Sequence, residues 1–350
     1  MRNLIALALC RSLFLVSLLR QEAPQLNILI TGGAGYIGSH TANLVAESGH
    51  TPVIYDNLST GHRWAAGLWT LIEADLADRS AISRAIQDYH VEGVIHFAAF
   101  AYVGESVEQP RKYFHNNVVN TLNLLDVMLD LDVKNIVYSS SCATYGVPES
   151  VPIPETQPQR PVNPYGESKL FVERVFHWYE QAYGLRWVSL RYFNAAGASA
   201  KLGECHDPET HLIPLAIQAV LGGPTVSVFG TDYPTNDGTA VRDYIHVDDL
   251  GSAHLLALEY LVNRGPSRAF NLGTGKGHSV REVLEMVEQV GKAPVPFRAA
   301  GRRPGDPPVL IADSTAAKEI LGWVPRRSSL REIVESAWHW HSESYQPSKP

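Results

Sequence analysis

Three cysteines in 350 residues, Cys10, Cys142 and Cys205, with none at C-x-x-C spacing, are too few and too scattered for a disulfide framework or a thiolate zinc site. No metal is expected, and the sparse thiols fit a reducing, cytoplasmic setting. Positive charge is also short. Lys and Arg number 29 against 36 Asp and Glu, a formal net charge of -7, so no net basic field is available for a nucleic acid or an anionic membrane. Local basic pockets remain possible. Long apolar runs are missing as well: the most apolar stretch, 1–26, is split by Arg11 into Leu4–Cys10 and Leu13–Leu19, each far below the ~20 residues that span a bilayer. Arg20-Gln21-Glu22 follows where a cleaved signal needs small residues, so 1–26 is read as an extension outside the fold, and no membrane partner is expected.

What is present is ordinary globular material, 45% hydrophobic and 19% charged with 27 Gly and 22 Pro, which excludes disordered and fibrous classes. The length suffices for two domains. From Leu26 the chain reads strand, glycine-rich turn, helix: Leu26–Ile30 is apolar, Thr31-Gly32-Gly33-Ala34-Gly35-Tyr36-Ile37-Gly38 follows, and helical periodicity runs to Ser48. Gly32, Gly35 and Gly38 would supply a tight turn, room for a pyrophosphate and close helix packing, and the helix N-terminus would attract the anion. A second strand, Thr51–Tyr55, ends in Asp56, 18 residues after Gly38, where a carboxylate can bind both hydroxyls of an adenosine ribose and repel a 2′-phosphate. NAD is therefore favoured over NADP. Asp75 ends a third strand and either reaches the adenine or caps the next helix.

Strand-like Val91–Phe97, Lys134–Ser139 and Arg186–Arg191 alternate with helical Ser80–Tyr89, Tyr113–Leu129 and Ser168–Tyr183. That rhythm predicts an α/β, Rossmann-type, doubly wound parallel sheet with ligands at the carboxyl ends of its strands. One such end carries Ser139-Ser140-Ser141, and 24 residues beyond Ser141 stands Tyr165, one helical turn before Lys169. Tyrosine titrates near 10, too high for a base at neutral pH. A lysine ammonium and the charge of NAD⁺ are expected to favour the phenolate; lowering the pKa by about 3 takes about 4 kcal/mol. Ser141 would hold a substrate hydroxyl while Tyr165 removes its proton.

The glycine loop, Asp56-Asn57, Ser141, the Tyr165/Lys169 pair and Arg191-Tyr192-Phe193-Asn194 resemble the extended short-chain dehydrogenase/reductase family. His96-Phe97-Ala98-Ala99, Val103-Gly104-Glu105-Ser106, Phe229–Thr235, Val241–His246 and Arg302–Asp306 narrow the resemblance to its UDP-glucose 4-epimerases, from about Asn27 to His341. The resemblance implies a retained NAD and a UDP-sugar substrate: Tyr165 takes the 4-hydroxyl proton, hydride passes to NAD⁺, and the 4-keto sugar turns over before hydride returns. It adds Tyr36, Ile37, Asn57, Phe97, Ala98 and Asn116 to the cofactor contacts and Asn194, His211, Leu212, Phe229, Arg242, Arg303 and Asp306 to the substrate contacts. Two guanidiniums for the pyrophosphate, a carboxylate for the uridine ribose and an aromatic for the base make chemical sense. It also implies a homodimer packed through helices of the NAD domain. The domains are expected at 27–191 for NAD and 192–350 mainly for the UDP-sugar, a smaller α/β unit, with room for segments near 241–262 to rejoin the first.

Three positions depart from the family pattern. Ala101 replaces a lysine near the NAD phosphates in some members, and His211 replaces an asparagine. Leu310 stands where a tyrosine excludes N-acetylated sugars or a small residue admits them, so UDP-N-acetylhexosamines stay open, as do UDP-arabinose and UDP-xylose. A dehydratase is disfavoured because Cys142-Ala143 occupies the place of its Asp-Glu pair. A non-catalytic nucleotide-sugar binder would have no use for an activated phenolate. Cys142 is read as a packed thiol, and His339-Trp340-His341 as part of a terminal amphipathic helix.

Overall fold

The computed structural model describes residues 25–303 and 305–344. The expected extension therefore lies outside them, apart from Gln25 and Leu26; Leu26 is buried, and its N–H donates to His50 Nδ1 at 3.2 Å. Seven strands form one sheet in the order β11-β6-β5-β4-β1-β2-β3, all parallel. They are β1 Asn27–Thr31, β2 Thr51–Asp56, β3 Thr70–Glu73, β4 Gly93–His96, β5 Asn135–Ser141, β6 Arg186–Tyr192 and β11 Arg268–Leu272. The order runs outward from β1 in both directions, which makes the sheet doubly wound.

Period-2 alternation in β1 explains why its run is apolar throughout. Ile28 and Ile30 join one core, with α1 (Tyr36–Glu47) and α8 (Val247–Val262) over it, whereas Leu29 joins the opposite core. That second core is roofed by α2 (Arg79–Asp88), α5 (Asn120–Asp130) and α6 (Pro164–Tyr183), through residues such as Ile82, Leu124 and Phe176. The expected helix Tyr113–Leu129 is interrupted: α3 (Val103–Glu108) and α4 (Pro110–Phe114) lead into a π turn, His115–Val119, before α5. Asn163 caps α6, accepting from Gly166 N at 2.8 Å, and Pro164 takes the first helical position, where its missing N–H costs nothing.

A third core gathers α7 (Leu212–Val220), α9 (Val280–Gly291) and α11 (Leu330–His339) around Ile217, Val287 and Ile333. Short strands edge it: β7 (Asn194–Ala196) with β10 (Tyr244–His246), β8 (Val226–Phe229) with β13 (Phe297–Ala300), and β12 (His278–Ser279), β9 (Val241–Arg242) and β14 (Val309–Leu310) in one ladder. Between these pieces the chain crosses back to the large sheet as α8 and β11. No described helix is long and apolar enough to cross a membrane.

Candidate active site

The glycine turn sits at the carboxyl end of β1 against the start of the β4 loop. Gly32 adopts φ +72°, and a Cβ there would lie 2.6 Å from Ala98 N; a Cβ on Gly38 would lie 2.2 Å from Gly32 O. Neither position tolerates a side chain. Gly35 precedes α1 without a side-chain cap, so the first turn, Tyr36-Ile37-Gly38, presents main-chain donors to an anion. Phe97 N and Ala98 N both donate to Thr31 O, at 2.8 and 3.0 Å, which fixes the neighbouring loop on the turn. Tyr36 reaches the second half of the chain, its hydroxyl donating to Gly197 O at 2.6 Å.

Asp56, at the end of β2, braces the turn it follows. Its Oδ2 accepts from Ala34 N at 3.0 Å and its Oδ1 from Leu58 N at 2.8 Å, while burial raises its pKa against those bonds. Asn57 Nδ2 donates to Asp75 Oδ2 at 2.6 Å, and Asn120 Nδ2 to Asp75 Oδ1 at 3.3 Å. Asp75 Oδ1 also accepts from Ala77 N at 2.8 Å and so caps the turn that starts at Leu76, while α2 itself is capped by Asp78, which accepts from Ala81 N at 3.0 Å. Ala101 lies exposed in the loop after β4, which Asn117 pins by donating to Phe100 O and accepting from Phe100 N. Asn116, half-buried, donates to Asn117 Oδ1 at 3.0 Å.

Ser141 ends β5, and Tyr165 and Lys169 face it from the first turns of α6; all three are buried. A hydrogen bond from Ser141 lowers the Tyr165 pKa, but burial dominates and drives it well above the ordinary value. Lys169 does not offset that effect. Its Nζ donates to Ser139 O at 2.8 Å and lies 4.8 Å from the centre of the Tyr138 ring and 5.9 Å from that of Tyr165. Burial lowers Lys169 to about 7, with Glu173 pulling the other way. The expected joint action of the lysine ammonium and NAD⁺ on the phenol therefore needs the cofactor's charge as well: in the protein alone burial acts against the charged form of both side chains. Cys142 is no nucleophile either, since burial pushes its thiol up to about 12.

In the second half, Arg242 donates to the carboxylate of Asp306, and the Arg303 guanidinium stacks 4.0 Å from the centre of the Phe229 ring. Asp306 and Phe229 were expected to face a uridine. Here each meets an arginine: the largely buried Arg242 pairs with a carboxylate, and the exposed Arg303 lies over a ring face. Asn194 opens β7, with its N–H on Asp243 O at 3.0 Å. Leu310 pairs with Arg242 in the ladder and packs on the buried cluster of Tyr145, Ile153, Phe193 and Ala312, on which Cys142, the residue after Ser141, also packs. Leu212 opens α7, and His211 precedes it.

Sequence reasoning missed three constellations. Glu173, one turn beyond Lys169 on the Tyr165 stripe, binds Arg191 through Nε at 3.0 Å and Nη2, accepts from Ser140 Oγ at 2.6 Å, and is buried with its partner. The i, i+4, i+8 spacing of Tyr165, Lys169 and Glu173 was the available signal. Asp243, buried, ties Thr274 N, Gly275 N and Ala312 N at 2.9 to 3.2 Å. Glu204, His206, Glu209 and His211 converge so that one donor atom from each lies within 4.8 Å of the others. Their tight run, Glu204-Cys205-His206-Asp207-Pro208-Glu209-Thr210-His211, was legible, but the absence of a cysteine pair hid it. Against the desolvation that lowers them, the two carboxylates push His206 up to about 9 and His211 up to about 10.

Known proteins resemble this chain over about nine-tenths of its length. The UDP-glucose 4-epimerase of Halalkalibacterium halodurans is 52% identical over 319 residues, covering 90% of this chain and 96% of the relative. A crystal structure of UDP-glucose 4-epimerase from Brucella ovis in complex with NAD superposes with a TM-score of 0.89 at 50% identity, covering 90% of this chain and 98% of that one. The Stenotrophomonas maltophila UDP-glucose 4-epimerase, with bound NAD and formylated UDP-arabinopyranose, gives 0.88 at 39% identity over 91% of this chain and 99% of that one. The model of the NAD dependent epimerase/dehydratase family matches residues 28–273, seven-tenths of the chain, and with these likenesses it places the chain in that family.

Proposed function

We propose that the chain is an NAD-dependent UDP-glucose 4-epimerase, interconverting UDP-glucose and UDP-galactose through a transient 4-keto sugar in galactose metabolism and nucleotide-sugar supply. The observation that carries the reading is the convergence of Ser141, Tyr165 and Lys169, buried together at the carboxyl end of the sheet. NAD supplies a hydride acceptor at C4 of the sugar and then the hydride donor that resets it. The residues present fit that group: a glycine turn without room for a Cβ, an uncapped helix start, and the Asp56, Asn57 and Asp75 carboxylate-amide group beside them.

In this reading Ser141 holds the 4-hydroxyl and Tyr165 takes its proton, then returns it to the oxygen after the keto sugar has turned over. Lys169, fixed by Ser139 O, supports the phenolate through its charge and holds the nicotinamide ribose, with Asn116 nearby. Phe97 and Ala98 line the cofactor beside the turn. Arg242 and Arg303 take the pyrophosphate, Asp306 the uridine ribose and Phe229 the base, which requires the Arg242–Asp306 and Arg303–Phe229 contacts to open for substrate. Asn194, His211 and Leu212 complete the clamp. The domains divide at about 191, with α8 and β11 serving the NAD half.

Exposed apolar side chains on adjoining helices, Val107 on α3, Phe114 on α4 and Phe171 and Trp178 on α6, support a homodimer formed through the NAD half. A cytoplasmic location is supported by the sparse cysteines. Turnover measured in parallel on UDP-galactose, UDP-N-acetylgalactosamine and UDP-xylose tests the proposal. UDP-galactose should have the highest kcat/KM; no conversion of it by NAD-loaded protein would overturn the reading.

A further inference from the structure

The loop between β7 and α7 lies on the seam of the two halves. His62 Nε2 is 2.9 Å from Cys205 O, Trp340 Nε1 donates to Glu204 O at 3.1 Å, and the His206 ring sits 6.2 Å from that of Tyr36 and 6.1 Å from that of Tyr102. Within it, His211 Nδ1 is 2.7 Å from Glu204 Oε1 and 2.9 Å from Glu209 Oε1, and His206 Nδ1 is 3.1 Å from Glu204 Oε1 and 3.6 Å from Glu209 Oε2. A tetrahedral ion with bonds of about 2.0–2.2 Å holds its donors about 3.3–3.6 Å apart. The four carboxylate–imidazole separations lie at or up to 0.6 Å below that spacing, and all four donors lie within 4.8 Å of one another, so small side-chain rotations bring them to an ion.

We propose that Glu204, His206, Glu209 and His211 bind one divalent transition-metal ion, zinc on its two-nitrogen, two-oxygen donor set, which clasps the loop between the two halves. Two carboxylates sit in a region where Glu204 is only 4% exposed, and a dication with two neutral imidazoles satisfies both without protonating either ring. His206 Nδ1 is buried 3.1 Å from Glu204 Oε1, close enough to share an ion with it but off the line of a hydrogen bond. The Nε2 of His341 is likewise buried and without a partner among the described residues, and both carboxylates act on that ring. Glu209 Oε1 already accepts from Thr210 N at 2.7 Å and His211 N at 2.8 Å, which orients the carboxylate as outer hydrogen bonds do for metal ligands. With Nδ1 on the ion, the proton of His211 resides on Nε2, a fixed donor at the start of α7.

The test reads metal, not epimerisation, so its failure and the failure of the proposed activity are separable. Protein purified without added chelator from medium containing zinc, iron and manganese should carry about one zinc per chain by elemental mass spectrometry. Dialysis against a zinc chelator should remove it and lower the melting temperature, and added Zn²⁺ should restore both. His206→Ala and Glu209→Gln should each reduce retained zinc at least tenfold while far-UV circular dichroism stays unchanged. Cobalt substituted at the site should show the intense visible bands of four-coordinate geometry. Less than a tenth of an equivalent of any metal, together with no uptake of added Zn²⁺ by the wild-type chain, would mean that protonated histidines alone pair with the glutamates, and would overturn the proposal.

Discussion

Lys169 Nζ donates to the carbonyl oxygen of Ser139 at 2.8 Å, so this lysine is tied to the end of β5 and not to the Tyr165 phenol one helical turn away. Burial holds this amine at about 7, whereas an unfolded chain would titrate near 10.5. Between those values the unfolded state binds a proton that the folded state lacks, so folding stability gains up to about 1.4 kcal/mol per pH unit from this group as pH rises from 7 toward 10. Lys169→Met removes the term. The stability difference between the Met variant and the wild type, from urea denaturation, should favour the variant most at pH 7 and shrink by pH 10; a constant difference would refute the assignment.

Tyr165 is raised by burial and lowered only by its hydrogen bond with Ser141, so its base strength depends on charge brought to the site with NAD. Tyr165→Phe deletes the proton acceptor and little volume. kcat should fall by about 10²–10⁴. UDP affinity, read by calorimetry, should change less than about threefold, because the clamp residues lie in the other half. Surviving turnover within tenfold of wild type would move the base elsewhere.

Beneath Lys169, Glu173 and Arg191 form a buried pair extended by Ser140, Gln159 and Tyr145. Removing one charge strands the other. Glu173→Gln should cost about 3–5 kcal/mol in denaturant unfolding. Glu173→Gln combined with Arg191→Met should recover a large part of that loss, since no unpaired guanidinium remains. A double variant no more stable than the single one would mean that the pair is not the source of the cost.

Arg303 covers Phe229, and Arg242 is paired with Asp306, so in the proposed clamp both arginines must leave these contacts to reach a phosphate. A charge-assisted bond to a phosphate contributes about 1.5–3 kcal/mol. Arg303→Met, which keeps an apolar cover on the ring, should therefore raise KM for UDP-galactose by about ten- to a hundredfold and change kcat less. An unchanged KM would remove Arg303 from the phosphate site.

Six strands of the large sheet were legible because most are short, apolar and punctuated: Leu26–Ile30 before its glycines, and Thr51–Tyr55 before Asp56. The interruption of the helix at His115–Val119 was not, since a π turn leaves no break in apolar periodicity. Tyr165 and Lys169 were found by spacing, yet Glu173, on the same stripe, was passed over because a charged residue eight positions along a helix usually faces water. The return of β11 to the edge beside β6 depends on pairing Phe270 with Leu190 across eighty residues of sequence, which no local pattern reports. Glu204 and its histidines escaped because a loop has no period to read.

Leu310 pairs with Arg242 and packs on the Tyr145, Ile153, Phe193 and Ala312 cluster that Cys142, the residue after Ser141, also packs on, so its side chain lies between the proposed clamp and the proposed proton-transfer residues. Tyrosine there would add bulk that the neighbouring Tyr145 and Phe193, both buried, cannot yield. Shortening the residue should do the opposite. Leu310→Ala opens room for an N-acetyl group, and the ratio of kcat/KM for UDP-N-acetylgalactosamine to that for UDP-galactose should rise by about ten- to two-hundredfold, the range a few methylenes control in an apolar pocket. Leu310→Tyr should lower that ratio while UDP-galactose turnover persists. If neither substitution moves the ratio, sugar choice is set elsewhere in the site, and Leu310 serves only to pack on the Tyr145 and Phe193 cluster.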